Sequence, residues 1–349
     1  MYLRLSNRHL GKKSRYRPDT LGKTVPSLLK ILSSAEIGLI KMKKGSIREK
    51  WPGEERESAR ATTIWPDDRL IRRIQSSEIT LADFGRKAGQ ELIELRKVKP
   101  SPTAKGELAC YADTVVTHRY RAEVQAINLW LGSANITCDA PKGDIDQRDR
   151  HLRRIFNNNS FEQGGRLVGG FWQRMRKEYR TAIRIDNNPI DELDYAQMFL
   201  RLCYGRVGKN PPLGDLYDIP ALTELGASRK GIKLVINASL FANKPLTRLP
   251  RGCRKHFPER LRCKDIVSAV QEYHQSVAHL FFDNIGMRLM FSESEILVRC
   301  LLTLIDKGIT ALPIHDALLV SVEDKDTVDQ VMLDSFKAIG GTGGMVTLK

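Results

Sequence analysis

The chain has 349 residues, 41% of them hydrophobic, and carries 57 Lys/Arg against 41 Asp/Glu for a formal net charge of +16. That length holds two or three lobes around a sizeable core, and the charge excess points to a polyanionic partner rather than to ordinary metabolic chemistry. No run of about 18 apolar residues occurs, which argues against a membrane span, and six scattered cysteines with no CxxC pair and no secretory signal fit a reduced, cytosolic setting.

Residues 1–66 read as a basic arm. The first fifty hold thirteen Lys/Arg against Asp19, Glu36 and Glu49. Asn7 to Arg17 interleaves cations with Tyr16, as in a segment that follows phosphates, and a solvated tail is the plain alternative. An Arg-rich, acid-poor start also fits an organellar transit peptide. The Lys-rich continuation to Lys50 argues against that, and organellar import stays open. Residues 67–150 are expected to be helical. Pro66-Asp67-Asp68 starts a helix carrying Leu70, Ile71 and Ile74, and Thr80 to Lys97 continues as helix until Pro100-Ser101-Pro102. His118 to Leu131 places Val124, Ile127, Trp130 and Leu131 on one face, with Arg119, Arg121 and Glu123 off it.

From 151 the chain is basic again, and Gly164-Gly165 and Gly169-Gly170 bracket Arg166, letting the backbone approach a ligand. Asn157-Asn158-Asn159 reads as a loop. Thr181–Ile185 and Ile190–Leu193 read as strands joined by a turn at Asp186-Asn187-Asn188-Pro189. Turns at Pro211–Gly214 and Pro245–Gly252 bracket a helix from Arg229. Asp265–Ile285 and Glu293–Ile305 read as helices separated by Gly286-Met287-Arg288. Ile309 to Val322 reads as a β-hairpin with Asp316 at its tip, Val328–Ala338 as a helix, and Gly340–Gly344 as the lead into a last strand. Cys253, His256, Cys263 and His274 suggest a zinc site, but their spacing matches no standard finger.

Three stretches carry chemistry. In Asp194-Tyr195-Ala196-Gln197-Met198-Phe199-Leu200-Arg201 an acid ends a strand, so the sheet fixes the carboxylate while the Tyr195 carbonyl stays available as a ligand. Ile314-His315-Asp316 presents a second acid from a hairpin. Two hard carboxylates on neighbouring strands fit Mg²⁺, which binds through one or two carboxylates plus substrate phosphates. Such a pair supports two-metal in-line phosphoryl transfer. Between them, Arg229, Lys233, Asn237 and Phe241 form one drifting stripe on a helix: two cations for a triphosphate, then an amide and a ring for a sugar and a base.

Together these stretches resemble the family A DNA polymerases, the class of bacterial polymerase I and the T-odd phage replicases. Asp194–Arg201 resembles motif A, Arg229-x3-Lys233-x7-Phe241-Ala242 resembles motif B on the O helix, and Ile314-His315-Asp316 resembles motif C. Gly165-Arg166-Leu167 with Trp172-Gln173 is similar to the segment before motif A whose arginine touches the primer terminus. Gly214-Asp215-Leu216-Tyr217 is similar to the fingers segment in which a histidine usually meets the triphosphate. The likeness covers roughly residues 160 to 325. It departs from the family pattern at Ala317, where a glutamate usually follows motif C, and at Phe199 and Phe241, which stand where a Glu-Tyr pair usually gates the sugar.

The resemblance implies an α+β right-hand polymerase with an antiparallel-sheet palm, short helical fingers and a helical, thumb-like N-terminal region. Its segments would be a basic arm (1–66), a thumb-like domain (67–150), the first palm part (151–201), fingers (202–260) and the second palm part (261–349). It implies two Mg²⁺ ions, with Mn²⁺ as a substitute, held by Asp194, Asp316 and the Tyr195 carbonyl, and dNTPs and a DNA primer-template as partners, with no membrane. Lys233 would donate a proton to the leaving pyrophosphate. Arg229, Lys233, Asn237, Phe241, Phe199, Tyr217 and Gln197 would meet the nucleotide, while Arg166, Arg201, His315 and Arg288 would meet nucleic acid. The expected activity is primer extension without proofreading, in replication or repair of a mobile element or phage-like system, in the cytoplasm of a bacterial or phage-infected cell. Two other readings are a single-subunit RNA polymerase or primer-synthesising polymerase, and a non-catalytic DNA-binding replication initiator on a polymerase relic.

Overall fold

A computed structural model describes residues 2–3, 14–16, 22–45, 62–79, 89–101, 104–139 and 146–349. Most of the expected Asn7–Arg17 arm lies outside them. The chain divides into two compact units, Met1–Glu91 and Leu92–Lys349. No helix among the described residues is long and apolar enough to cross a membrane.

The first unit is a three-stranded antiparallel sheet of order β1-β3-β2, from β1 (Tyr2–Leu3), β2 (Ile40–Lys43) and β3 (Thr62–Pro66), with helices α1 (Val25–Leu32) and α2 (Asp68–Gln75). Helix α2 starts where the sequence signals it. Asp67 stands at the N-cap in extended conformation, Asp68 in the first turn, and Arg72 and Arg73 in the last, all favoured by the helix dipole. Among the described residues of this unit only Leu29 and Thr62 are buried.

The second unit mixes helices with two sheets. Its strands are β4 (Ile93–Leu95), β5 (Ile136–Cys138), β6 (Leu152–Asn157), β7 (Ser160–Gly169), β8 (Ile183–Ile185), β9 (Asn188–Tyr195), β10 (Ala311–Ile314), β11 (Ala317–Ser321) and β12 (Val346–Leu348). Its main helices are α3 (Val115–Ser133), α4 (Met198–Arg206), α5 (Arg229–Phe241), α6 (Cys263–Tyr273), α7 (Gly286–Asp306) and α8 (Lys325–Gly340). The larger sheet runs β10-β11-β9-β8-β5, with β12 also on β9, and every pairing in it is antiparallel. The smaller sheet runs β4-β6-β7, with β4 and β6 parallel.

Local chemistry sets the hairpins. Asp186 and Asn187 both take positive φ (51° and 67°) between β8 and β9, and Asn158 and Asn159 (both 55°) do so between β6 and β7. Two left-handed residues match the strand twist in such turns, and Asn and Asp tolerate that conformation best after glycine. The Asn157–Asn159 loop is therefore a tight turn. Thr181 and Ala182, expected in a strand, instead end a 3-10 turn over Lys177–Ala182.

Two expectations are corrected. Residues 93–97 are not helical: Ile93–Leu95 is a strand, so 67–150 is not wholly helical, and 80–88 lie outside the described residues. The run Leu92-Ile93-Glu94-Leu95 is too short for periodicity to distinguish strand from helix. Glu94, only 4% exposed, is held by ion pairs to Arg96 (2.6 Å) and to Arg153 on the neighbouring β6. The second correction concerns Gly286-Met287-Arg288, which is the first turn of α7 rather than a break. The chain breaks earlier, after Tyr273, through a 3-10 turn at Gln275–Leu280 and left-handed Phe282 and Asn284.

The core is one large cluster that includes Trp172, Leu193, Tyr195, Ile236, Leu289 and Leu318. A smaller one gathers Ile93, Leu95, Tyr120 and Phe156. Helix α3 buries Val124, Ile127 and Leu131 as its period requires, and Trp130 Nε1 donates to Thr310 Oγ1 at 3.2 Å. Arg154, fully buried, is satisfied by Gly165 O (2.9 Å), Ser294 Oγ (3.0 Å), Glu123 (3.2 Å) and Glu295, with the ring of Tyr120 4.5 Å below. It ties α3, β7 and α7 into one body.

Candidate active site

The two acids expected from sequence meet through strand register. In the pairing of β9 with β11, Asp194 lies opposite Ala317, the residue after Asp316, and the Tyr195 N–H donates to the Asp316 carbonyl at 3.2 Å. His315 and Asp316 form the two-residue loop between β10 and β11, with His315 left-handed at φ 56° and exposed. The hairpin is pinned from the segment following Arg166. Trp172 Nε1 and Gln173 Nε2 both donate to the Pro313 carbonyl, at 3.0 and 2.8 Å. Alternation along β9 sends Asp194 and Glu192 to one face and Tyr195 to the other. There the Tyr195 hydroxyl donates to Met332 O at 2.7 Å, so only its backbone faces the acid side.

Burial, then the neighbouring Asp316 charge, raises the pKa of Asp194 against the lowering pull of Lys349. Lys349 Nζ stands 2.8 Å from Asp194 Oδ1 and 3.5 Å from Glu192. That ammonium is the partner of the buried Asp194 oxygen.

A third carboxylate belongs to this neighbourhood, and the sequence reading missed it. Glu293, on α7 and 1% exposed, receives both Nε and Nη2 of Arg166, at 2.6 and 2.9 Å. Burial raises its pKa to about 7; Arg166 opposes the rise, and Asp316 and Asp194 add to it. A bulge makes the meeting possible. The register shifts between Ile155 and Phe156, Gly164 and Gly165 take φ near +80°, and a Cβ on Gly165 would stand 2.6 Å from Ser294 Oγ. The available signal was position. Leu289, Glu293, Ile296, Cys300 and Leu304 share a buried helical stripe, and an acid on such a stripe needs a partner.

Helix α5 is tied at both ends to the segment just beyond Asp194. Gln197 is left-handed at φ 58° and turns the chain sharply into α4. Its Nε2 donates to Asp215 Oδ1 at 3.0 Å, while its Oε1 accepts from Arg201 Nη2 at 3.2 Å. Asp215 also receives Arg229, through Nε and through Nη2 at 3.1 Å, and the pKa of Arg229 is raised mainly by that bond. At the other end, the rings of Phe199 and Phe241 stand 5.9 Å apart, tilted by 56°. Gly286 accommodates Phe241: a Cβ there would lie 2.5 Å from its ring.

Tyr217 is 2% exposed, with Arg229 and Lys233 at 5.1 and 5.8 Å over its ring. It is a platform for the two cations. Asn237 is half-buried on the same stripe. Arg288 is exposed on the first turn of α7. Arg201 also reaches Gly343 O at 3.4 Å.

The imagined zinc set does not form. His274 is fully buried between Tyr204 Oη and Leu216 O, His256 Nδ1 meets Ser228 Oγ, and Cys253 and Cys263 approach different carbonyls. Among the described residues no three His, Cys, Asp or Glu converge to hold a metal ion. Asp194 and Asp316 still suit Mg²⁺, which takes one or two protein carboxylates when phosphates and waters complete its shell. The Lys349 ammonium at Asp194 Oδ1 shows that this carboxylate accepts a cation.

No protein-family model matches the chain, and no curated protein sequence matches it. Among solved structures it is similar to the POL domain of Pol1 from M. smegmatis in complex with DNA primer-template and dNTP, at 11% identity and a TM-score of 0.33 over 72% of this chain. The chain spans 57% of the length of that structure. A likeness of this degree shows neither family nor activity.

Proposed function

We propose that the chain is a template-directed DNA polymerase that extends a primer 3′ end with dNTPs. The observation that carries this reading is the register of β9 against β11, which sets Asp194 beside Asp316, next to a helix whose cations stand over Tyr217.

Asp194 and Asp316, with the Tyr195 carbonyl, would hold Mg²⁺, which when bound lowers the barrier to attack by a hydroxyl and neutralises the leaving pyrophosphate. Arg229 and Lys233 would hold the triphosphate, and Lys233 would protonate the pyrophosphate as it leaves. Arg166, fixed by Glu293, steadies the primer terminus, with Arg201, His315 and Arg288 available to the nucleic acid. Catalysis of this kind is positioning and charge neutralisation. In a right-hand polymerase, 151–201 and 261–349 would supply the palm, 202–260 the fingers and 67–150 the thumb. Phe199 and Phe241 fill the place of a hydrogen-bonded sugar gate, which favours dNTPs over rNTPs and sets this reading against an RNA polymerase.

Incubation with primer-template, Mg²⁺ and either dNTPs or rNTPs tests it. Extension with dNTPs that Phe199→Ala opens to rNTPs by about tenfold, or about 1.4 kcal/mol, is expected. Binding without nucleotide transfer would instead favour a non-catalytic DNA-binding factor.

A further inference from the structure

Residues 244–264, from just after α5 into the first turn of α6, hold eight Lys/Arg against one acid, Glu259. All eight cations are exposed. Among the described residues, Lys244, Arg248, Arg251 and Lys255 have no acid within ion-pair distance and fall within twelve residues of one another, whereas Arg153, Arg154 and Arg166 are each neutralised by a carboxylate.

The segment is nonetheless fixed. Arg254 donates to the carbonyls of Leu261 (2.8 Å), Phe257 (3.1 Å) and Pro258, and Cys253, Phe257 and Leu261 are buried. It is also fastened to the start of α5. The Ser228 N–H donates to His256 O at 2.9 Å, Ser228 Oγ meets His256 Nδ1 at 3.0 Å, and a Cβ on Gly231 would stand 2.6 Å from His256 Cβ. A chain that leaves the last turn of α5 and returns to its first runs the length of that helix, roughly 20 Å for thirteen residues.

We infer that this segment is a phosphate-binding platform that grips nucleic-acid backbone and moves as one piece with α5. An ordered surface that keeps its cations unpaired retains their repulsion unless a polyanion relieves it. No aromatic ring in 244–264 is exposed, since Phe257 is buried, so the grip is on phosphates and does not depend on base stacking. The inference rests on the polymerase reading for its biological setting, but its test does not.

The full-length protein and a variant with Lys244→Gln, Arg248→Gln, Arg251→Gln and Lys255→Gln are titrated into fluorescent blunt duplex and mixed-sequence single strand over a range of salt. A control variant carries Lys307→Gln and Lys337→Gln. Each phosphate contact contributes a slope of about −0.9 on duplex and −0.7 on single strand in log affinity against log salt. The platform predicts that the four-site variant loses about 3.6 units of slope on duplex and about 2.8 on single strand, that the control keeps the wild-type slope, and that thermal melting is unchanged. An unchanged slope in the four-site variant, or an equal loss in the control, overturns the platform even if wild-type protein extends primers. Failure of wild-type protein to extend primers, with the slope loss intact, overturns the polymerase reading alone.

Discussion

Glu293 shows how a single side chain can set a site without belonging to its recognisable motifs. Its carboxylate is almost wholly enclosed and receives the Arg166 guanidinium in a two-bond fork, so α7 fixes the direction of the cation on β7. Replacing one partner of a buried pair leaves the other charge uncompensated. Glu293→Ala should therefore cost about 3 kcal/mol in urea unfolding, and a change below about 0.5 kcal/mol, ordinary for a surface site, would show that the fork is not holding these elements. The residue was invisible to motif reading because its neighbours, Ser292 and Ser294, carry no pattern. Asp215 went unassigned for a similar reason: the fingers segment drew attention to Tyr217, yet the acid two residues earlier engages both Arg229 and Gln197.

His274 carries a second prediction at this scale. Its Nε2–H donates to the Leu216 carbonyl and its Nδ1 accepts from the Tyr204 hydroxyl, each at 2.9 Å, so the neutral ring is the one that fits. Burial depresses its pKa below the ordinary 6.5. The unfolded chain then binds more protons than the folded one between the two values, and the stability this ring contributes is present above about pH 6.5 and lost as pH falls toward the depressed value. Between pH 7.5 and 5 the wild type should lose urea stability relative to His274→Gln, with a slope of at most about 1.4 kcal/mol per pH unit; Glu293, its pKa raised to about 7, acts with the opposite sign and in both proteins. An identical pH dependence in the variant would exclude this ring as the source.

Among elements, the partnership of α5 with α7 is the most exposed to test. Gly286 lets the first turn of α7 pass under Phe241, and the ring in turn meets Phe199 at the start of α4. Gly286→Ala would force the ring aside, an overpacking cost of about 1–3 kcal/mol. Under the polymerase reading it should also raise KM for dNTP more than it lowers kcat. Unchanged stability and KM would mean that the ring has room to spare. The sequence pattern places Gly286-Met287-Arg288 between two helices, whereas close packing against Phe241 sets Gly286 at a helix start. β9 and the hairpin that carries Asp316 were legible because turn residues flank short strand-like segments, two of them the apolar runs on either side of His315-Asp316. The strand Ile93–Leu95 was not, because its stability comes from a parallel partner and from Arg153, both distant in sequence.

For the molecule as a whole, the fold brings Asp194 on β9 beside Asp316 at the tip of the neighbouring hairpin, 122 positions away in sequence, and the local pattern that marks each strand says nothing about which strands pair. The division between Glu91 and Leu92 was likewise unreadable, since no Pro- or Gly-rich linker marks it. The central claim is that Asp194 and Asp316 act together on a metal-bound nucleotide. Single-turnover primer extension with Mg²⁺ and dNTPs, comparing wild type with Asp194→Asn and Asp316→Asn, tests it most directly. The account predicts extension by the wild type and a loss of at least about a thousandfold in each variant, several kcal/mol of transition-state stabilisation, with folding retained in both. Extension that persists in either variant within tenfold of the wild type would contradict it.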